Sequence, residues 1–192
     1  MSNTAPAVSP RRDELLERAY GYVLEHGLAG MSLRPLSAAI RSSPRVLLFL
    51  FGSKDELVRA LLARARAEEL ELLSRMPRDG DGELAAAASQ LWRWLSAEEH
   101  RGLLRLWVES YARSLVELRG PWAGFARATV EDWLGLLAAA QPRPERDSPV
   151  GEAQRTLVLA LLRGALLDLL ATGDHERTTQ AVQRGLTHVT SA

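Results

Sequence analysis

The chain has 192 residues, equal numbers of acidic and basic side chains, and no cysteine. A protein of this length can bury a sizeable core in one or two domains, and the lack of cysteine excludes disulfide bonds and thiolate metal sites. The first ten residues have no apolar run of the kind found in a signal peptide. The longest apolar run, residues 157–171, is interrupted by Arg163 and Asp168 and is too short to cross a bilayer. We therefore expect a cytoplasmic protein with no membrane segment.

The charges are unevenly distributed although they sum to zero. Residues 31–66 carry seven basic and two acidic side chains, a net charge of +5, whereas residues 77–192 carry 13 basic and 15 acidic side chains, a net charge of −2. A basic surface beside a neutral or acidic body is typical of proteins that contact phosphate. The alternative is that some of the arginines, such as Arg59, Arg64 and Arg66, form an ordinary solvated helix face.

The spacing of apolar residues predicts an all-α protein of about nine helices. Residues 1–10 are expected to be a disordered tail. The first helix should cover residues 11–26, because Gly27 is a suitable stop and His26 carries a favourable charge for a helix C-terminus. Three further helix starts lie close together, and each has a serine at its N-cap position. These serines are Ser32, Ser43 and Ser53.

Two short helices, a tight turn between them and a longer third helix form the outline of a helix-turn-helix DNA-binding unit. Pro44 stands at the first position of the second short helix, where its missing N–H is not needed. Ser53 and Glu56 have the spacing of a capping box at the start of the longer helix. We therefore predict a helix-turn-helix domain over residues 11–57, followed by a connecting helix over residues 53–75.

The run L-L-F-L-F-G-S-K-D-E-L, from Leu47 to Leu57, resembles the sequence that closes the DNA-binding domain of TetR-family transcriptional repressors. That family typically shows L-Y-x-Y-F-x-S-K-x-x-L at this point. The positions that match are Leu47, Phe51, Ser53, Lys54 and Leu57. The resemblance covers about residues 12–60, and beyond them only the helix count agrees. It implies a C-terminal helical domain that dimerises and binds a small molecule, with release of DNA when that molecule binds.

The rest of the chain, residues 76–192, is assigned to this helical ligand-binding and dimerisation domain. Residues 77–82 read P-R-D-G-D-G and are predicted to form a turn, because the acidic residues lack the spacing of a calcium-binding loop. Gly and Pro breaks separate five further helices. Their predicted ranges are 83–97, 99–118, 121–140, 150–172 and 174–190.

In a helix-turn-helix unit, the N-terminal residues of the second helix lie near base edges. Arg45 is the candidate for base recognition, because a guanidinium can bind guanine with two hydrogen bonds. Lys54 begins the connecting helix, where unpaired N–H groups favour a phosphate, and it matches the family's phosphate-contacting lysine. The full predicted DNA-binding set is Arg34, Arg41, Ser43, Arg45, Phe49 and Lys54.

Two features of this region depart from the family pattern. Leu48 occupies the position of a tyrosine whose hydroxyl meets a phosphate in the family, and Phe49 follows it without a hydroxyl. Arg41 stands where the tight turn often has glycine, so a strained backbone is expected there. In addition, the helix V-L-L-F-L-F is apolar on every side. It is either buried and reads no DNA, or its apolar face contacts thymine methyl groups while arginines hold phosphates.

All five tryptophans lie between residues 92 and 133. Aromatic and polar residues recur at helical spacing along two predicted helices, which suggests a ligand pocket between those helices. The alternative is that each aromatic residue belongs to the ordinary core. The predicted ligand-binding residues are Trp92, Trp107, Tyr111, Trp122, Phe125, Thr129 and Trp133, with His100 or Glu109 as further polar contacts.

The last two helices carry small and apolar residues along one side, which is compatible with a four-helix bundle formed by two copies of the chain. An intramolecular core would use the same residues. The predicted dimer interface is Leu157, Ala160, Leu161, Gly164, Val182, Gly185 and Val189.

No catalytic, nucleotide-binding or metal-binding motif is present in the sequence, so neither an enzyme nor a cofactor is predicted. The predicted function is a ligand-responsive transcriptional regulator that acts as a repressor. Its expected partners are a palindromic double-stranded DNA operator, a small hydrophobic or aromatic effector and a second copy of the chain. The competing hypothesis is a helical small-molecule-binding or protein-interaction module whose DNA reader has degenerated.

Overall fold

The computed structural model describes residues 9–74 and 84–190. Over these ranges the chain forms ten α-helices and no strand, so the all-α prediction is confirmed. A short 3-10 turn, Glu98–His100, precedes the sixth helix. The helices are α1 (Pro10–His26), α2 (Leu33–Ala39), α3 (Pro44–Phe51), α4 (Lys54–Ser74), α5 (Leu84–Leu95), α6 (Arg101–Val116), α7 (Phe125–Ala139), α8 (Arg143–Arg146), α9 (Pro149–Thr172) and α10 (His175–Thr190).

The packing of the helices divides the described residues into two compact units. The first unit contains the described residues up to Glu68 together with Arg105–Gly124. The second unit contains the described residues of Glu69–Leu104 and those from Phe125 onward. The helices α4 and α6 therefore contribute residues to both units. The functional division into a DNA-binding and an effector domain remains a prediction.

The first unit is organised around the apolar side of α1. Leu15, Ala19 and Val23 recur at helical spacing on this side and are completely buried. The helix α1 packs on α2, and α2 packs on α3. Leu36 of α2 and Leu47 of α3 are also completely buried. The two short helices are therefore held in a fixed orientation by α1, as a helix-turn-helix unit requires.

The second unit is built around α9, which packs against α5, α7, α8 and α10. Leu162 and Leu166 of α9 are completely buried. Gly151 lets α9 approach α8, because a side chain there would collide with the Glu145 carbonyl group. At the other end of α9, Arg177 binds both carboxylate oxygens of Asp168 at 2.7 Å. This pairing closes the turn into α10 and lowers the pKa of Asp168.

Several helix boundaries differ from those predicted, and glycine explains one of the largest differences. The helix expected over residues 121–140 begins only at Phe125, because Gly120 and Gly124 adopt φ of +88° and +79°. A left-handed backbone at both positions is incompatible with a continuous helix. The short helix α8 lies in a Pro-rich stretch that was predicted to be a break. The predicted turn over residues 77–82 and residues 1–8 of the predicted tail are outside the described ranges.

Candidate DNA-binding surface and effector domain

The inner face of α3 is anchored at both ends. The Ser43 hydroxyl accepts a hydrogen bond from the Val46 N–H at 3.3 Å, which caps the helix as predicted. Leu47 is completely buried, and Phe51 is 6% exposed with the Arg12 guanidinium 4.8 Å from its ring centroid. These contacts fix which side of α3 is turned toward the solvent.

The outer face of α3 is apolar and exposed. Phe49 is 86% exposed, Leu48 is 41% exposed and Val46 is 38% exposed. Arg45, at the start of the helix, is also exposed. Within this chain the helix is therefore not buried on all sides, because only one side of it faces the core.

The four predicted phosphate- or base-contacting cations are all on the surface. Arg34, Arg41, Arg45 and Lys54 are exposed, and no ion pair joins any of them to another residue within the described part of the chain. Lys54 is also the only lysine in the sequence. Their charge is therefore not neutralised internally and is available to an external anion.

Other arginines of the basic region are occupied by carboxylates. Arg59 pairs with Glu56 on the same helix. Arg64 donates to Glu17 at 2.7 Å and to Glu68 at 2.9 Å, and its guanidinium lies 4.7 Å from the ring centroid of Tyr20. Arg59 therefore belongs to an exposed helix face, whereas Arg64 is partly buried and joins α4 to α1.

The turn between α2 and α3 is strained at Arg41, as its position predicted. Arg41 has φ of +54°. Among the described residues it is the only one other than glycine with a positive φ. The Arg41 N–H donates to the Ala38 carbonyl, and the Ser42 N–H donates to the Ser37 carbonyl at 2.8 Å. A left-handed conformation at a residue with a Cβ is unfavourable by about 1–2 kcal/mol. The surrounding hydrogen bonds hold this conformation in place.

The start of α4 forms half of the predicted capping box. The Ser53 hydroxyl accepts a hydrogen bond from the Glu56 N–H at 3.1 Å. The carboxylate of Glu56 binds Arg59 on the next turn, so the reciprocal half of the box is not used. Lys54 is the first residue of α4, where a bound phosphate would also be favoured by the helix dipole.

Three of the predicted ligand-binding residues lie in the first unit. The rings of Trp107 and Tyr111 on α6 are 5.0 Å apart. Trp122 lies in the turn before α7 rather than on that helix, and its ring is 5.1 Å from the Arg113 guanidinium. Glu109, considered as a polar contact for a ligand, instead accepts a hydrogen bond from the Leu28 N–H at 2.8 Å. Its carboxylate therefore links α6 to the end of α1.

The other four predicted ligand-binding residues lie in the second unit. Trp92 is buried and donates to the Thr179 hydroxyl at 2.9 Å. Phe125 is partly buried at the start of α7. Thr129 is buried, and its hydroxyl donates to the Ala126 carbonyl of its own helix at 3.0 Å. Trp133 is nearly completely buried.

Sequence reasoning missed the polar residues around Trp133. The Trp133 N–H donates to a carboxylate oxygen of Glu69 at 2.7 Å, and Glu69 is only 4% exposed. The Arg163 guanidinium lies 5.8 Å from the Trp133 ring centroid. The available signal was the spacing of Leu61, Ala65 and Glu69, which puts a carboxylate on the buried side of α4. His100 forms a separate contact and stacks on Trp94 at 4.6 Å.

The predicted dimer residues divide into two groups. Val182 and Val189 are buried within the second unit, and a Cβ at Gly185 would lie 2.6 Å from a methyl carbon of Leu161. These residues hold α10 against α9. Five exposed residues of α9 form a stripe of apolar and small side chains at spacings of seven, three, four and three. This stripe consists of Val150, Leu157, Ala160, Gly164 and Leu167.

The described residues contain neither a membrane-spanning helix nor a metal-binding cluster. No helix among them is long and apolar enough to span a membrane. In the same residues, no group of three or more histidine, cysteine, aspartate or glutamate side chains is arranged to hold a metal ion.

No protein-family model and no curated protein sequence matches this chain, but solved structures do. A transcriptional regulator from Rhodococcus sp. Rha1 is 21% identical with a TM-score of 0.77, over 93% of this chain and 95% of its own. A TetR transcription regulator from Haloarcula marismortui is 16% identical with a TM-score of 0.68, over 94% and 96%. The multidrug binding protein EbrR, complexed with proflavin, is 25% identical with a TM-score of 0.66, over 91% and 99%.

Proposed function

We propose that this chain, which has the fold of TetR-family transcriptional regulators, is a cytoplasmic ligand-responsive repressor that binds an operator as a homodimer. The observation that carries the proposal is the surface around α3. Four exposed cations without ion-pair partners in the described chain accompany an exposed helix face at the end of a helix-turn-helix unit. Such a surface is suited to the major groove and its flanking phosphates.

Each cation has a distinct role in this proposal. Arg45, on the first turn of α3, is the candidate for base recognition because it lies where a recognition helix meets base edges. Arg34, Arg41 and Lys54 would contact phosphates and position the helix. Ser43 is partly exposed and caps α3, and its hydroxyl, which accepts the Val46 N–H, can still donate to a phosphate oxygen.

The test uses binding of the purified protein to the DNA upstream of its own gene, over a series of salt concentrations. Lys54→Ala should weaken binding to all sequences and reduce the salt slope by about one, because one phosphate contact is lost. Arg45→Ala should relax base preference and weaken specific binding by about 1–3 kcal/mol. Arg59→Ala is the matched control, since Arg59 is already paired with Glu56. Unchanged binding in both Lys54→Ala and Arg45→Ala would refute the proposed surface.

The single lysine permits a second, direct measurement. An amine-acylating reagent modifies Lys54 and the terminal amino group, and these two products are separated by mass spectrometry after digestion. Bound operator should slow acylation of Lys54 several-fold and leave the terminal amino group unaffected. Equal protection by a duplex of unrelated sequence at high salt would indicate that the contact is not part of specific binding.

The proposed homodimer uses the exposed stripe on α9. Its small residues, Ala160 and Gly164, would allow two helices to approach closely, and the apolar residues Leu157 and Leu167 would be removed from water. A symmetric pair would present two α3 helices to successive major grooves, roughly 35 Å apart. This arrangement requires a near-palindromic operator.

For the effector, we propose a hydrophobic or aromatic molecule that binds in the second unit near Trp133. Three of the predicted aromatic residues, Trp92, Phe125 and Trp133, belong to this unit. Proflavin and ethidium are suitable first probes, because EbrR has been crystallised with each of them. Binding of an effector needs to couple to DNA binding by only about 1–3 kcal/mol to change operator occupancy.

The effector proposal is tested by tryptophan fluorescence and by DNA release in the same titration. A bound aromatic dye should quench tryptophan emission and lower operator affinity by about 5- to 150-fold. Quenching without a change in DNA affinity would support a binding module rather than a ligand-responsive regulator.

The competing function is a helical binding module with a degenerate DNA reader, and the replacement of the family's tyrosine by Leu48 favours it. Specific operator binding should exceed non-specific binding by at least about 10³-fold. A smaller ratio, with wild-type affinity for dyes, would favour the module.

A further inference from the structure

The exposed face of α3 has an unusual centre. At about 100° per residue, its exposed side chains fall within an arc of roughly 160°, opposite the buried Leu47 and Phe51. Phe49 lies near the middle of this arc and is 86% exposed. Val46 and Leu48 flank it, and Arg45 shares its side of the helix one turn earlier. The most prominent group on the recognition helix is therefore a hydrocarbon ring.

Hydrogen-bonding groups on this face are few. Ser43 is engaged as the helix cap, and its hydroxyl already accepts the Val46 N–H. Arg45 is the remaining polar side chain on the exposed arc of α3. Among the groups that base pairs present in the major groove, the C5 methyl of thymine is the apolar one. An apolar recognition face can therefore distinguish sequences by the positions of their thymine methyl groups.

We infer that Phe49, with Val46 and Leu48 beside it, recognises thymine methyl groups in the operator and so adds to the base preference proposed for Arg45. This inference rests on the proposed function, since it assigns the groups that α3 reads. The neighbouring cations supply the charge complementarity that turns this apolar face toward a duplex. Arg41 lies in the turn before α3 and Lys54 begins the helix after it, and both are exposed and would attract phosphates of the duplex that α3 contacts.

The experiment begins with selection of bound duplexes from a random DNA pool by the full-length protein. An enriched sequence is then synthesised with deoxyuridine in place of thymidine, one position at a time. This replacement removes only the C5 methyl group and preserves base pairing. Each contacted thymine should lose affinity by about fourfold when its methyl is removed, which corresponds to the roughly 0.8 kcal/mol expected for burying one such group.

A double-mutant cycle ties the effect to Phe49. Phe49→Ala should bind the thymidine duplex several-fold more weakly than wild type and should no longer distinguish thymidine from deoxyuridine at the contacted positions. Val116→Ala is the matched control, because Val116 is an equally exposed apolar residue on α6. Since Phe49 makes no buried contact of note, thermal melting should be unchanged in Phe49→Ala. The salt slope should also stay constant, because no phosphate contact is removed.

The possible outcomes separate the two hypotheses. If no sequence is enriched and no specific duplex is bound, the proposed function fails. If a sequence is enriched but all its deoxyuridine variants bind as well as the parent, the protein reads DNA by other groups and this inference is overturned. It is equally overturned if Phe49→Ala retains full discrimination between thymidine and deoxyuridine. Loss of discrimination in Phe49→Ala but not in Val116→Ala supports it.

Discussion

Replacing Arg41 by glycine should make the protein more stable and a weaker DNA binder at the same time. Arg41 has φ of +54°, which is unfavourable by about 1–2 kcal/mol for a residue with a Cβ. Glycine removes that penalty but loses more backbone entropy on folding, about 0.5–1 kcal/mol. The net gain in unfolding free energy should be about 0.5–1 kcal/mol. For a chain of this size, that gain raises the melting temperature by about 1–4 °C.

The same substitution removes one proposed phosphate contact. Operator affinity should fall several-fold, and the slope of log affinity against log salt should decrease by about one. Arg41→Ala and Arg41→Lys separate the two effects. Alanine removes the charge and keeps the strained Cβ, so it should weaken binding without stabilising the fold. Lysine keeps both charge and strain, so it should resemble the wild type in both assays.

Thermal melting, or urea unfolding, measures the stability of these variants, and fluorescence anisotropy with labelled operator measures binding. The reasoning about backbone strain is refuted if glycine is no more stable than alanine at this position. The reasoning about phosphate is refuted if glycine and alanine both bind DNA with wild-type affinity and salt slope. A strained residue retained at no benefit to binding would need a different explanation.

Substitutions at four other positions test the packing and the pH dependence of stability. Glu109→Ala leaves the Leu28 N–H, just after α1, without its acceptor and should lower the unfolding free energy by about 1–3 kcal/mol. Glu109→Gln keeps an acceptor oxygen and should recover most of this loss. Gly185→Ala should destabilise the fold, because the new methyl group would collide with Leu161. Gly164→Ala meets no atom within 4 Å and should stabilise a monomer by about 1 kcal/mol. The same substitution should weaken a dimer formed through α9, which sedimentation would measure. Burial and the Glu68 carboxylate raise the pKa of Tyr20 above its ordinary value of 10.0. The unfolded chain therefore releases this proton first, so the unfolding free energy should fall as the pH rises above 10, and Tyr20→Phe should reduce that fall.

The helices could be predicted from the sequence because their local signals are strong. Serines at N-cap positions, Pro44 and the apolar spacing of α1 marked the first four helices, and the chain has the fold of solved TetR-family regulators. The start of α7 could not be placed as accurately. Its preceding turn contains Trp122, which continues the helical spacing of aromatic residues, while Gly120 and Gly124 adopt left-handed φ. Spacing alone does not reveal which glycines take that conformation.

The orientation of α3 is a harder problem for sequence reasoning. Every residue from Val46 to Phe51 is apolar, so the hydrophobic pattern does not indicate which side is buried. Tertiary contacts decide it: α2 packs on α3, and the Arg12 guanidinium lies near Phe51. The exposure of Phe49 therefore follows from residues in other helices. The roles of Arg45 and Lys54 as DNA contacts remain predictions.

The number of basic residues overstates the positive charge that can bind phosphate, because some of these residues already bind carboxylates. Residues 31–66 have a net charge of +5, but Arg59 and Arg64 already bind carboxylates, so these cations would add little to a phosphate contact. Arg64 has two further partners, Glu68 and the ring of Tyr20, which hold it as part of the packing of α4 on α1. Its substitution should therefore alter stability rather than the salt dependence of DNA binding. Substitution of Lys54, on the first turn of the same helix, should instead reduce the salt dependence of DNA binding and leave stability unchanged. Comparing the two substitutions tests whether phosphate binding depends on cations that have no carboxylate partner within the chain.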